Sequence, residues 1–155
     1  MRLHHCAIAP GDVEKSIQFY RDVLGMTVFQ DEVVSGEHAD RAVMEQGARF
    51  RMVLLADEVG NMIELFGWLN PRVRQRPPEY KNFTSTGLIE VCFMVNSLDE
   101  VERRMKQHGY SFRTPVWPFG SGSDSYEGAW AKIRYLEDPD GVHVELIEVI
   151  ETPKA

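Results

Sequence analysis

At 155 residues, 43% hydrophobic and 26% charged, the chain is long enough to bury a proper core and short enough for one domain. Its net charge is -7 and its lysines and arginines are scattered, which excludes the clustered positive surface that a nucleic-acid partner needs. It has no apolar run of membrane-spanning length and no signal-like start, so no membrane partner is expected and a cytoplasmic protein is.

The first expected element is a short strand through Leu3, His5 and Ala7. A helix follows, capped by Asp12, with Val13, Ile17, Tyr20 and Leu24 on one face and Gly25 at the left-handed stop position. Three strands are then expected at about 26–34, 41–56 with a break inside, and 61–67. Residues 68–87, WLNPRVRQRPPEYKNFTSTG, hold three prolines and no regular period, and read as a long connection able to cover part of a cleft or an oligomer interface. A second round begins with a strand through Leu88, Glu90 and Cys92. Ser97 and Glu100 form a capping box, Leu98, Val101 and Met105 the apolar stripe, and Gly109 the stop. Strands are expected at about 111–117, 130–136 and 142–150, with PFGSGSDSYEGA at 118–129 as a substrate lid or an ordinary surface loop.

The chain therefore says nearly the same thing twice. LHHCAIAPGDVEKSIQFYRDVLGMTV is answered by LIEVCFMVNSLDEVERRMKQHGYSF, and GNMIELF by GVHVELI. His5 to Glu90 is an offset of 85 residues and Glu64 to Glu145 one of 81, as for one duplicated unit with small loop changes. Cys6 and Cys92 fall at matching places and read most simply as buried free thiols, a disulfide between them staying open.

Strand parity selects the side chains that can meet. Val142, Val144 and Leu146 suit a helix-facing side, which leaves His143, Glu145 and Ile147 on the other; Ile63 and Leu65 likewise leave Glu64. A carboxylate among such neighbours is costly unless paired or bound to a cation. His5, Glu64, Glu90 and Glu145, at equivalent repeat positions, make a mixed nitrogen-oxygen donor set. Ordinary solvated or hydrogen-bonded roles stay open for each, and His4 has the parity of an outer-face residue. Three carboxylates would outweigh a divalent charge, so one must be protonated, hydrogen-bonded or used as a base. One divalent ion per chain is expected, Mn, Fe, Co, Ni or Zn, with Mg next.

In LHHCAIAPGDVEKSIQFYRDVLGM, GNMIELF, GLIEVCFMVNSLDEV and EDPDGVHVELIE the chain resembles the vicinal oxygen chelate superfamily, which includes glyoxalase I, bleomycin resistance proteins, extradiol dioxygenases and methylmalonyl-CoA epimerases. The resemblance implies an α+β fold of two tandem βαβββ modules forming an open, incomplete barrel around a metal cleft. One domain over 1–150 is expected, with module one at 1–67, the connection at 68–87 and module two at 88–150. It also implies His5, Glu64, Glu90 and Glu145 as the metal ligands, although histidine is usual where this chain has Glu90.

That departure disfavours ring cleavage, for which the family uses two histidines and a carboxylate on iron. The acidic set disfavours a purely drug-binding module. Enolisation fits better, because a metal-polarised carbonyl lowers the cost of removing the neighbouring proton. The expected function is a metal-dependent epimerase acting on a small-molecule carbonyl compound, a ketocyclitol or ketosugar such as 2-epi-5-epi-valiolone or an acyl-CoA. A glyoxalase I-type isomerase is the enzymatic alternative. Glu145 is the first candidate base. Glu45, in EQG, resembles the opposing base of methylmalonyl-CoA epimerases. Arg49, Arg51, Tyr126, Lys132, Arg134 and His143 are candidates for substrate binding. A homodimer is expected, because curved sheets leave edges that a second copy can cover.

Overall fold

The computed structural model describes residues 3–80, 82–120 and 126–150. The chain divides into two compact units, Met1–Arg76 and Pro77–Ala155. The first runs β1 (His5–Ile8), α1 (Val13–Gln18), β2 (Thr27–Ser35), α2 (Glu37–Val43), β3 (Arg49–Ala56) and β4 (Met62–Asn70). The second runs β5 (Glu90–Met94), α3 (Leu98–Gln107), β6 (Trp117–Phe119), β7 (Ala131–Glu137) and β8 (His143–Val149). Each is an α+β module of βαβββ type, and the first carries α2 in addition.

Each unit holds one open four-stranded sheet, ordered β1-β4-β3-β2 in the first and β5-β8-β7-β6 in the second. The opening strand lies parallel to the closing strand in both, since the helix carries the chain across before the three antiparallel strands return. The register makes the repeat exact in its pairing. His5 lies opposite Met62, two residues before Glu64, and Glu90 lies opposite His143, two residues before Glu145.

The helices cover one face of each sheet. Ile63, Leu65, Val53 and Leu55 are buried under Ile17 and Tyr20 in the first unit, and Val144, Leu146 and Leu136 lie with Leu98, Val101 and Met105 in the second core. Asp12 accepts from the Glu14 and Lys15 amides at 3.1 and 3.2 Å, which starts α1 where the sequence places it. After Gln18 the helix widens into one π turn, Phe19–Val23. Phe19 and Tyr20, adjacent in this turn, are both fully buried, with their rings edge to face at 5.1 Å. Gly25, at φ +83°, then reverses the chain.

Three expected boundaries are corrected. Residues 37–43 form α2, so no strand starts at 41. The Asp40 carboxylate accepts from Gly47 and Ala48 amides at 2.9 and 2.8 Å, which closes a turn that a strand could not make. The expected strand at 111–117 is reduced to β6 at 117–119. Before it the chain is tied to β7 by single contacts, Arg113 N–H to Tyr135 O at 2.8 Å and Tyr135 N–H to Thr114 Oγ1 at 3.0 Å, and Pro115 has no amide to donate. The connection begins later than 68, because β4 runs on to Asn70, and it contains a 3-10 turn at Pro78–Tyr80. The middle of the expected lid, 121–125, lies outside the described residues. Among the described residues no helix is long and apolar enough to cross a membrane.

Candidate functional site

On the sheet face opposite the helices, each unit pairs its two donor residues. In the first, His5 Nε2 lies 3.0 Å from a buried Glu64 Oε2. The side chain of His4 turns back toward this pair, its Nδ1 at 2.8 Å from His5 Nδ1, which corrects the outer-face expectation. With His4 at Nδ1, the ring direction of His5 is supported from one side, and Nε2, on the Glu64 side, is the nitrogen placed to meet a cation or a proton.

In the second unit Glu90 and Glu145 interact directly. Burial, and then the charge of Glu145, push the Glu90 carboxyl above the usual carboxylate range, with His143 and Tyr135 pulling the other way. The Tyr135 hydroxyl donates to Glu145 Oε1 at 3.2 Å. Tyr135 is itself raised, by desolvation first and then by the two carboxylates, so it stays a donor. Cys92, opposite Glu145 in the parallel ladder, is pushed up to about 12 by desolvation, its hydrogen bond to Glu145 and that charge. Both cysteines are free thiols, as expected, but Cys92 is exposed and Cys6 half-buried, so neither is the sealed core residue expected.

The repeat makes the difference between the units chemically readable. Where the first unit has Leu54 opposite Glu64, the second has Tyr135 opposite Glu145. Where the first has Met62 opposite His5, the second has His143 opposite Glu90. The carboxylate pair of the second unit therefore has Tyr135 and His143 at positions where the His5–Glu64 pair of the first has the apolar Leu54 and Met62. Tyr135 was not among the expected site residues. Its signal was the same period of 2 that singled out Glu145, applied to KIRYLE, where Ile133 and Tyr135 share a face.

Several cationic candidates stand elsewhere. Arg51 is ion-paired with Glu14 of α1 and forks onto Asp31 at 2.7 Å, on the helix-covered side of its sheet. Arg134 lies 3.9 Å from the Phe112 ring centre and 3.4 Å from Glu102 of α3, and Lys132 bonds Glu148 at 2.9 Å. Strands β3 and β7 alternate so that Arg51, Lys132 and Arg134 point away from the carboxylate faces. Arg49 and Tyr126 are exposed. His143 is buried and faces the site, stacked under Phe83. Glu45 is exposed in the turn after α2, whereas Glu64 pairs with Leu54, five residues into β3 and roughly 16 Å along it from Arg49.

Among the described residues no group of three or more His, Cys, Asp or Glu side chains forms a metal cage. The pairs nevertheless suit a cation: Glu90 and Glu145 are like charges drawn together out of water, and His5 with Glu64 presents one nitrogen and one oxygen donor side by side.

The family model for the Glyoxalase/Bleomycin resistance protein/Dioxygenase superfamily matches residues 2–146. The uncharacterized protein YwkD of Bacillus subtilis (strain 168) is 29% identical over 146 residues, 94% of this chain and 95% of its own. The lactoylglutathione lyase of Escherichia coli O157:H7 is 26% identical over 149 residues, 96% of this chain and 93% of its own. A solved glyoxalase family protein from Bacillus cereus matches with a TM-score of 0.82 at 20% identity, over 96% of this chain and 94% of that one, a likeness of fold. With two βαβββ modules in one register and a family match spanning nearly all of its length, the chain belongs to the Glyoxalase/Bleomycin resistance protein/Dioxygenase superfamily.

Proposed function

We propose that this chain is a metal-dependent isomerase of the glyoxalase I type, which converts the hemithioacetal of a 2-oxoaldehyde and a thiol into the 2-hydroxy thioester. The observation that carries it is the Glu90–Glu145 pair with Tyr135 donating to Glu145, a proton-handling group on an open sheet face. The relatives named lactoylglutathione lyase support this chemistry over the epimerase expectation. His5 with Glu64, and Glu90 with Glu145, are the donors that would hold divalent metal, which when bound polarises the substrate oxygens and stabilises the charge that develops on them.

The chain's own residues supply the proton transfer. Glu145 takes the proton from the carbon bearing sulfur; the electron pair of that C–H bond forms the C=C bond of an enediol, the carbonyl oxygen takes a proton, and the hydroxyl on the sulfur-bearing carbon gives one up when the thioester carbonyl forms. The same proton is then delivered to the neighbouring carbon, so the product is an isomer of the substrate and no oxidant or reductant is consumed. Tyr135 orients the Glu145 carboxylate, because its hydroxyl donates to Oε1. Glu90, its carboxyl raised by burial and by the charge of Glu145, stands beside the base. An epimerase would use the same first step but needs a base on the other face of the intermediate. Glu45 is exposed before the start of β3, at the end of the strand far from the Leu54–Glu64 pairing.

The test is direct. Protein supplemented in turn with Ni, Co, Mn and Zn is mixed with methylglyoxal and glutathione, and thioester formation is followed by its ultraviolet absorbance. Turnover lost in Glu145→Gln and kept in Glu45→Gln is expected. Folded, metal-loaded protein that forms no thioester rejects this reading; inversion of a 2-oxo polyol with solvent deuterium uptake would restore the epimerase instead.

A further inference from the structure

The connecting segment places an aromatic ring against the proposed site. Asn82 Oδ1 accepts from the Thr84 amide and hydroxyl at 3.1 and 2.7 Å, its Nδ2 donates to Glu79 O at 2.9 Å, and Ser85 Oγ donates to the same carbonyl at 2.7 Å. Ser85 N–H closes the turn onto Asn82 O at 3.3 Å. Phe83 is the second residue of this knitted turn, so its side chain is pushed outward from it. The ring lies flat on His143, 4.3 Å between centroids and 11° from parallel, and edge-on to Tyr135 at 5.4 Å. Those are the neighbours of Glu90 and Glu145. Phe83 is still 47% exposed, so the contact is a cover from outside and not a piece of the core.

We propose that Phe83 is the specificity-determining residue of this site, occupying the space over His143 that a substituent on the substrate carbonyl would enter and so limiting that substituent to a small aliphatic group. The proposal rests on the isomerase reading above. At 4.3 Å the stack leaves no gap for a second ring, so an aryl group can approach Glu145 from this side only by displacing Phe83. A methyl group needs no such displacement. The turn fixes the backbone from which the ring is presented, so the ring leaves His143 only by rotating about its own side-chain bonds, with loss of both ring contacts.

Three variants test it: Phe83→Ala, Phe83→Tyr and Phe83→Trp. In nuclear magnetic resonance spectra the His143 ring protons should be shifted by the stacked ring in the wild type and in Phe83→Tyr, and should move toward ordinary values in Phe83→Ala. In turnover, the kcat/KM ratio of the phenylglyoxal to the methylglyoxal hemithioacetal should rise by about tenfold or more in Phe83→Ala and fall in Phe83→Trp. If the wild type turns over neither compound, the isomerase reading fails, and Phe83 is decided by the affinity ratio of phenylpyruvate to pyruvate for zinc-supplemented protein, which should change in the same directions. A His143 resonance indifferent to Phe83→Ala, an unchanged ratio, or no binding of either acid to any variant overturns the proposal.

Discussion

At the residue scale the most informative group is Glu90, where the family resemblance expects histidine and the structure finds a carboxyl raised by burial and by Glu145. A carboxyl whose folded value is raised contributes full stability below its unfolded value and loses it as pH rises through the folded one. Metal-free Glu90→Gln should therefore be more stable than the wild type near neutral pH, with the advantage disappearing in acid, as measured by thermal unfolding across pH. A wild-type pH profile unchanged by the substitution would remove Glu90 from the pair. The same substitution should weaken divalent binding in calorimetry, and Glu64→Ala should abolish it, because His5 then stands without the carboxylate 3.0 Å away. Retained binding of one ion by Glu64→Ala would exclude that residue from the donor set. Glu64, Glu90 and Glu145 were legible as candidates because strand parity and duplication act on single residues. Tyr135 and the inward turn of His4 were not read, since the first lay on a strand judged by its cations and the second depends on a side-chain rotation that a strand period does not fix.

At the element scale, α3 and α1 are anchored to their sheets in different ways. Glu148 of β8 accepts from the Leu98 amide at 2.8 Å and from Lys132 at 2.9 Å, so a sheet residue satisfies the first helical N–H while Ser97 accepts from Glu100 N at 3.3 Å. Burial pushes the Glu148 carboxyl up, but the Leu98 amide and Lys132 outweigh it and its folded value lies below the usual range. A lowered value means stability present above the unfolded carboxylate range and lost as pH falls through the folded one. Glu148→Ala should cost roughly 1–3 kcal/mol at about neutral pH and less in acid, measured by denaturant unfolding. An equal cost at both would assign the effect to packing. For α1 the contact is steric: a Cβ at Gly67 would lie 2.9 Å from Val13 Cβ, so helix and strand touch backbone to side chain. Gly67→Ala should destabilise by about 1–3 kcal/mol, and an unfolding midpoint equal to the wild type would show that α1 can shift freely. Both helix starts were readable from Asp12 and Ser97, because capping is local. Residues 37–43 and 111–117 were misjudged for the opposite reason. Their outcome depends on Asp40 reaching Gly47 and on Thr114 reaching β7, contacts made only after the chain has folded back.

At the scale of the whole molecule, sheets that do not close leave edges, and β2 carries the exposed Phe29 and Val33 on one of them. Such an edge is a pairing surface unless another chain covers it. We propose the homodimer on that ground and expect sedimentation at micromolar concentration to give twice the chain mass; a single 17.8 kDa species would reject it. The sequence by itself determined the duplication, the starts and stops of α1 and α3, the helix-facing sides of β4 and β8, and the equivalent positions of His5 with Glu90 and of Glu64 with Glu145. Each of these follows from a period or a cap that acts within a few residues. Only tertiary structure decided that Arg51, Lys132 and Arg134 serve the helix faces, that Tyr135 bonds Glu145, and that Phe83 lies over His143. Those outcomes depend on which distant charge or ring a side chain meets once strands are paired, and sequence spacing holds no measure of that distance.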